Sequence, residues 1–399
     1  MLAAICAASF CALATVFHLG TIAVAALRFR RRYRASLPDP TPAVSLLRPV
    51  CGLDSYARET LESSFRLDYP NYEILFCAAR SDDPAVPLVE ELIAAHAELP
   101  ARLLIGDDCA SVNPKLNNLI KGWDAARHQW IVMADSNVLI PPDYLHRLLA
   151  RWRDDTGVVC SMPIASRPAN FWAELECAFL NTLQARVQYA AESFGRGFAQ
   201  GKTMLYRREL IDNAGGLRLL AAETAEDAAT TKIVRAAGLH VHLVDRPFEQ
   251  PLGRRGAAAV WARQLRWARL RRMSFVWLFL PEAIVGSFFP ALALALAAPA
   301  FGLDPVAAII AMLALWVGAE LALAHCAGWR VSARLIPALL LRDLLLPALW
   351  IGAWLGDGFV WRGTAMVAAR APTRRNRRRG TLAQHVGDGA GQEAYEPIS

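Results

Sequence analysis

Residues 130–137 read WIVMADSN, five apolar or small side chains followed by a carboxylate, a hydroxyl and an amide. So short and apolar a run predicts a buried strand, and Asp135 marks the point where the chain leaves it. Working outward, similar runs occur at AVSLLRP (43–49), YEILFCA (72–78), ARLLIG (101–106), VVCSMP (158–163) and HVHLVD (240–245). Helix-like stretches fall between them near 56–66, 86–97, 115–127, 142–153, 171–190 and 226–237. That alternation predicts an α/β sheet covered by helices. Two of the strands end in polar clusters, CAARSDDP and MADSN. In open α/β sheets ligands collect outside the carboxyl ends of strands, so Asp83 and Asp135 are candidates for one pocket. Turn chemistry or helix capping accounts for SDDP taken alone. It accounts less well for Asp135, which ends an otherwise apolar strand.

The rest of the chain is unusually apolar. Hydrophobic residues make up 55% of 399 positions and the mean hydropathy is +0.25, which predicts that part of the molecule lies in lipid. Residues 1–27 carry no Lys, Arg, Asp or Glu, long enough to span a hydrocarbon core that needs roughly 20 apolar residues. RFRRRYR (28–34) follows this run rather than preceding it, so the segment reads as a retained anchor with a cytoplasmic chain after it. A second apolar zone comprises 273–300, broken by Pro281, Glu282 and Pro290, then 305–327, then 333–356, interrupted by Arg342, Asp343 and Pro347. An even number of crossings here would keep the basic RAPTRRNRRR tail inside, leaving one stretch interfacial or re-entrant. The expected division is therefore an anchor (1–27), a basic linker (28–42), a catalytic domain (43–272), membrane-embedded or interfacial helices (273–356) and a basic, then disordered, tail (357–399). The net charge of +7 clusters at the edges of apolar segments, which points to a membrane surface and not to nucleic acid. The eight cysteines form no C-x-x-C pair and indicate neither zinc nor a disulfide framework.

Three further features carry chemistry. Asp135 and Asn137 offer oxygen ligands for Mg²⁺ or Mn²⁺, which bridge phosphates with only one or two protein carboxylates. GGLRLLAAETAEDAATTKIVRAAG places Glu223, Glu226 and Asp227 before an Ala-rich helix. The helix dipole explains one of these acids. A carboxylate with a like charge beside it can also serve as a general base. RQLRWARLRR (263–272) holds five arginines and Trp267, with Arg263, Arg266 and Trp267 at helical spacing on one side. Guanidinium groups bind phosphate bidentately, whereas a juxtamembrane topology signal accounts for Arg269, Arg271 and Arg272.

In order and spacing, VSLLRPVCGLD, LDYPNYEILFC, DDPA, NPKLNNL, ADSN, AGGL, AEDAATTK and RQLRW resemble the ceramide glucosyltransferase family and its bacterial relatives, within the GT2-like glycosyltransferases. The resemblance covers roughly 43–290 and continues weakly to WRG (361–363). It implies a cytoplasmic GT-A domain, mostly parallel, with transmembrane or interfacial helices at both ends. It also implies inverting transfer of a hexose from a UDP-sugar, UDP-glucose foremost, to a membrane lipid hydroxyl, ceramide foremost. Carried over by position, Asp83 lies near the uridine, Asp135 near the cation and diphosphate, and Asp227 is the base. Arg263, Arg266 and Trp267 form the R-x-x-R-W motif, and Lys115 belongs to a basic strip near the nucleotide. Where animal members carry a His-Pro pair, this chain has Gln184-Ala185. Diacylglycerol or a hopanoid is an alternative acceptor. A processive polysaccharide synthase and a non-catalytic nucleotide-sugar or lipid sensor are the alternative functions.

Overall fold

The computed structural model describes residues 1–30, 41–107, 109–361 and 364–367. Arg31, Arg32, Arg34 and the basic tail at 370–379 lie outside them. The chain runs α1 (Leu2–Phe29), β1 (Val44–Val50), α2 (Ala57–Glu62), β2 (Tyr72–Ala78), α3 (Ala85–Ala95), β3 (Ala101–Ile105), α4 (Pro114–Ala125), β4 (Trp130–Ala134), α5 (Tyr144–Leu149), β5 (Thr156–Ser161), β6 (Ile164–Pro168) and α6 (Phe171–Cys177). A π-helical turn, Ala178–Ala185, leads into α7 (Arg186–Ser193), β7 (Thr203–Arg207), α8 (Arg208–Ala214), α9 (Glu226–Ala236), β8 (His240–Leu243) and β9 (Glu249–Gly253). Then come α10 (Ala257–Ser274), α11 (Val276–Phe279), α12 (Phe288–Ala297), α13 (Pro305–Cys326), α14 (Leu335–Trp354) and the pair β10 (Gly358–Trp361) and β11 (Thr364–Val367).

Seven strands form one sheet in the order β3-β2-β1-β4-β7-β5-β8. Every residue of β1 is buried, because alternate side chains feed two cores. Leu47, Leu75 and Met133 meet Leu119 and Trp123 of α4 on one face, while Leu46, Ile74 and Val132 meet Val89 of α3 and Leu148 of α5 on the other. The sheet is mostly parallel as expected, with one correction: β7 runs antiparallel to both β4 and β5. TMLYR (203–207) passes from strand into α8 without a turn residue between them, so the sequence pattern hides it. β6 and β9 pair in a small second sheet that the run pattern does not predict.

Among the described residues, three helices are long and apolar enough to cross a membrane: Leu2–Arg30, Pro305–Cys326 and Leu335–Trp354. A fourth candidate, Val276–Ile284 with Phe288–Phe301, is bent by 49°. α1 has two characters. Leu13, Val16 and Phe17 are exposed, whereas Ile22, Ala25 and Phe29 enter the core of the sheet domain, Phe29 edge-on to Tyr189. Arg28, expected at a basic juxtamembrane border, is instead buried against Glu192 and Asp245.

Three ionisable residues inside the apolar zone, Glu320, Arg342 and Asp343, are buried and paired with one another. Arg342 grips both oxygens of Glu320 at 2.8 and 2.9 Å, and Thr182 of the π-turn donates to Glu320 at 2.8 Å. Arg186 lies 3.6 Å from Glu320, and Asp343 accepts from the backbone N–H of Ser287 at 2.9 Å. His18 of α1 stacks on Trp316 of α13 at 3.8 Å. A π-turn inserted into a helix commonly marks a place where geometry is specified, and this one supplies two polar anchors, Thr182 and the Ala178 carbonyl, to Arg342. The network fastens α1, α13 and α14 to the sheet domain.

Candidate active site

Asp135 follows the last residue of β4, and the turn after it is held from below by Arg48. That arginine, fully buried on β1, donates to the carbonyls of Ser136 and Val138 at 3.1 and 3.2 Å and of Thr60 at 2.8 Å. Burial pushes its guanidinium down to about 10. The antiparallel register pairs Ala134 with Thr203, so Lys202 comes opposite Asp135, and Asp135 N–H donates to the Lys202 carbonyl at 3.0 Å. The side chains then meet, Lys202 Nζ lying 2.7 Å from Asp135 Oδ2 and 3.0 Å from Asn137 Oδ1.

Lys115 reaches the same carboxylate from the opposite side. It sits in the first turn of α4, which Asn113 caps by accepting from the Lys115 and Leu116 N–H groups at 3.0 and 3.2 Å. Its ammonium lies 2.7 Å from Asp135 Oδ1 and 2.6 Å from Glu226 Oε1. Burial alone would raise the Asp135 carboxyl, but the charges of Lys115 and Lys202 outweigh it and hold the group below the usual range.

Asp227 stands beside Glu226 at the start of α9 and accepts from Gly201 N–H at 3.0 Å and Ala228 N–H at 2.8 Å. Burial, then the neighbouring Glu226 charge, pushes it up to about 6. Gly201 is there because of space: a Cβ on it would fall 2.7 Å from Glu226 Oε1 and 3.1 Å from Lys115 Nζ. Of the three acids seen in the sequence, Glu223 leaves the group and pairs with Lys232.

Asp83 accepts from Gly52 N–H at 2.9 and 3.1 Å and from Ala85 N–H at 2.8 Å, joining the end of β1 to the start of α3. Two residues beyond Gly52, Asp54 lies 3.3 Å from Asn137 Nδ2. The carboxyl ends of β2, β1 and β4 are thus linked into one rim. On α10, Arg263 forms an ion pair with the buried Glu176, and its guanidinium stands 6.0 Å over the Trp267 ring. Its charge is also felt at Lys202. Arg266, one turn further on, is half-buried. Gln264, between them, accepts from Gln184 of the π-turn at 3.1 Å. Arg271 pairs with both oxygens of Glu282, Arg272 pairs with Asp357, and Arg269 donates to the Gly358 carbonyl, so all three tie α10 to the segments that follow it.

The description of glycosyl transferase family 21 matches residues 10–373. The chain belongs to glycosyl transferase family 21. Among curated relatives, this family 21 chain is 27% identical over 268 residues to ceramide glucosyltransferase 1 of Caenorhabditis elegans, covering 66% of this chain and 58% of the relative. It is 24% identical over 354 residues to ceramide glucosyltransferase 3 of the same organism, covering 87% and 77%. Among solved structures, a mannosyltransferase from Pyrobaculum calidifontis, in complex with GDP-Man and Mn²⁺, superposes with a TM-score of 0.51 at 19% identity, covering 85% of this chain and 99% of that one. The fold is accordingly of the GT-A glycosyltransferase kind.

Motif reading named Asp135, Lys115, Asp227 and Arg263 in this family 21 chain, and the structure brings the first three together with Glu226 and Lys202. It missed Lys202 and Arg48. A lone arginine inside the apolar strand VSLLRPV was the available signal for Arg48; for Lys202 there was none, because its position depends on the unseen β7.

Proposed function

We propose that this chain is a membrane-bound inverting glycosyltransferase that moves a hexose, glucose foremost, from a UDP-sugar to the hydroxyl of a membrane lipid, ceramide foremost. The observation carrying this reading is the meeting of the raised Asp227 carboxyl with the Asp135–Lys115–Lys202 cluster, beside a helix that runs on toward the apolar segments. The names of the curated relatives support the acceptor and the sugar. Asp83 is proposed at the uridine and Arg263, Arg266 and Trp267 at the diphosphate. The catalytic domain, 43–272, is proposed to face the cytoplasm, with α1, α13 and α14 crossing the membrane and the bent pair lying at its surface.

In the proposed reaction Asp227 takes the proton of the lipid hydroxyl, and the freed oxygen pair attacks C1 of the sugar. The new C1–O bond forms opposite the old one, which breaks with its electron pair on the diphosphate, and UDP leaves. Arg263 and Arg266 meet the charge that develops there, the electrostatic contribution that usually dominates such catalysis. A divalent cation, Mg²⁺ or Mn²⁺, fits this site. One ammonium already sits between Asp135 Oδ2 and Asn137 Oδ1 as a point cation with two oxygen partners. Those two residues would hold the ion, which supplies further charge to the leaving diphosphate. Mn²⁺ in the Pyrobaculum mannosyltransferase supports this.

Membranes containing the full chain, incubated with labelled UDP-glucose, UDP-galactose or other UDP-sugars, test the reading by thin-layer separation of the lipid extract. Label in glucosylceramide is the expected result. Label in a diacylglycerol or hopanoid band changes the acceptor, and label in insoluble polymer supports the synthase alternative. Retained UDP binding with no transfer supports the sensor.

A further inference from the structure

Lys202 lies outside every motif that points to this site, and it neutralises the one carboxylate proposed to hold a cation. Lys115 is shared between Asp135 and Glu226, while Lys202 serves Asp135 and the Asn137 amide oxygen. Asp227 stands beside Glu226, and Arg263 and Arg255 share Glu176. Both Asp135 oxygens and the Asn137 amide oxygen thus already face an ammonium, and a divalent ion takes that seat only by displacing Lys202. The diphosphate of a sugar nucleotide brings the negative charge that receives the displaced ammonium.

The two lysines are held differently. Lys115 binds two carboxylates and the Gly201 carbonyl, so it is anchored from three directions. Lys202 has a flexible four-carbon stem and a rotatable ammonium, suited to changing partners.

We infer that Lys202 is the resident counter-charge of the donor site, holding Asp135 and Asn137 while the site is empty and turning to the donor diphosphate when nucleotide and divalent cation enter together. This rests on the nucleotide-sugar reading above. Lys202 and the cation thereby exclude each other from the Asp135–Asn137 seat, and the ion is admitted only with the nucleotide.

The test uses the full chain in lipid nanodiscs, with Mn²⁺ binding followed by electron paramagnetic resonance and UDP binding by calorimetry. In the wild type, UDP should tighten Mn²⁺ binding at least ~10-fold, within the ordinary range of coupling between two sites. Lys202→Met should bind Mn²⁺ without UDP about 10-fold more tightly than wild type, and bind UDP in chelator about 10-fold more weakly, because one ammonium both blocks the ion and attracts the phosphate. A residue that merely supports the fold would not move the two affinities in opposite directions. Lys202→Gln, which keeps a polar stem and removes the charge, should show the same two opposite shifts, and it carries the test if Lys202→Met fails to fold. Mn²⁺ affinity that is unchanged or weaker in these variants overturns the inference, as does unchanged UDP affinity in Lys202→Met. Wild type that binds no UDP under any condition instead overturns the donor reading itself.

Discussion

The backbone N–H of Gly201 donates to Asp227 Oδ2 at 3.0 Å, which fixes the proposed base against the loop that also presents Lys202. Asp227→Asn keeps the shape of that acceptor and removes the basicity. Turnover is expected to fall by ~10²–10⁴, the usual loss of a general base, while UDP affinity stays within a few-fold. Near-normal transfer by this variant, measured as labelled glycolipid per minute, would place the base elsewhere.

The rate should fall as the pH drops through about 6, because Asp227 accepts the hydroxyl proton only when ionised and its carboxyl is pushed up to about 6 by burial and by the Glu226 charge. Replacing Glu226 with Gln removes the like charge. The acid limb of the pH–rate profile should then move to lower pH, toward ordinary carboxylates. An unmoved limb would mean that Glu226 does not act on the titrating group.

Gly201→Ala tests the close approach at the same point. The added Cβ would lie 2.7 Å from Glu226 Oε1 and 3.1 Å from Lys115 Nζ, so these side chains must give way. Turnover should drop by roughly 10²-fold, as for about 1 Å of misplacement, with the circular dichroism spectrum unchanged. Wild-type turnover would show that the Lys115–Glu226 contact is not needed.

Away from the site, Glu320→Gln breaks a bidentate pair whose two members are each 1% exposed. Removing one partner of a buried pair costs about 3–5 kcal/mol, so the denaturation midpoint in detergent should fall markedly. The double replacement Glu320→Leu with Arg342→Met should recover little of the loss, because buried Arg186 and Asp343 then lose their own charged partners. A Glu320→Gln midpoint equal to wild type would remove this network as the fastening of α13 and α14.

Much of the fold was legible because local patterns carry it. WIVMA, YEILFCA and VSLLRPV are strands because a short apolar run can be buried on both faces only in a covered sheet. The apolar helices announced themselves by length. Asp135 and Asp227 stood out by type and position. What stayed hidden was every fact depending on which distant residues meet. Arg28, Arg269, Arg271 and Arg272 read as a surface charge pattern, yet each has a partner within the chain, at Glu192 and Asp245, Gly358, Glu282 and Asp357. Glu223 read as a member of an acidic cluster and pairs with Lys232 instead.

By itself, then, the sequence determined the strands, the apolar segments and the residue types available for proton transfer and phosphate recognition, since those follow from periodicity and side-chain chemistry. Tertiary structure alone decided which ammonium faces which oxygen. Lys202 reaches Asp135 because β7 enters the sheet antiparallel to β4, and Lys115 reaches it because α4 begins beside that same strand end. Which strands pair, and in which direction, depends on contacts between segments far apart in the chain, so the five residues of β7 do not disclose it.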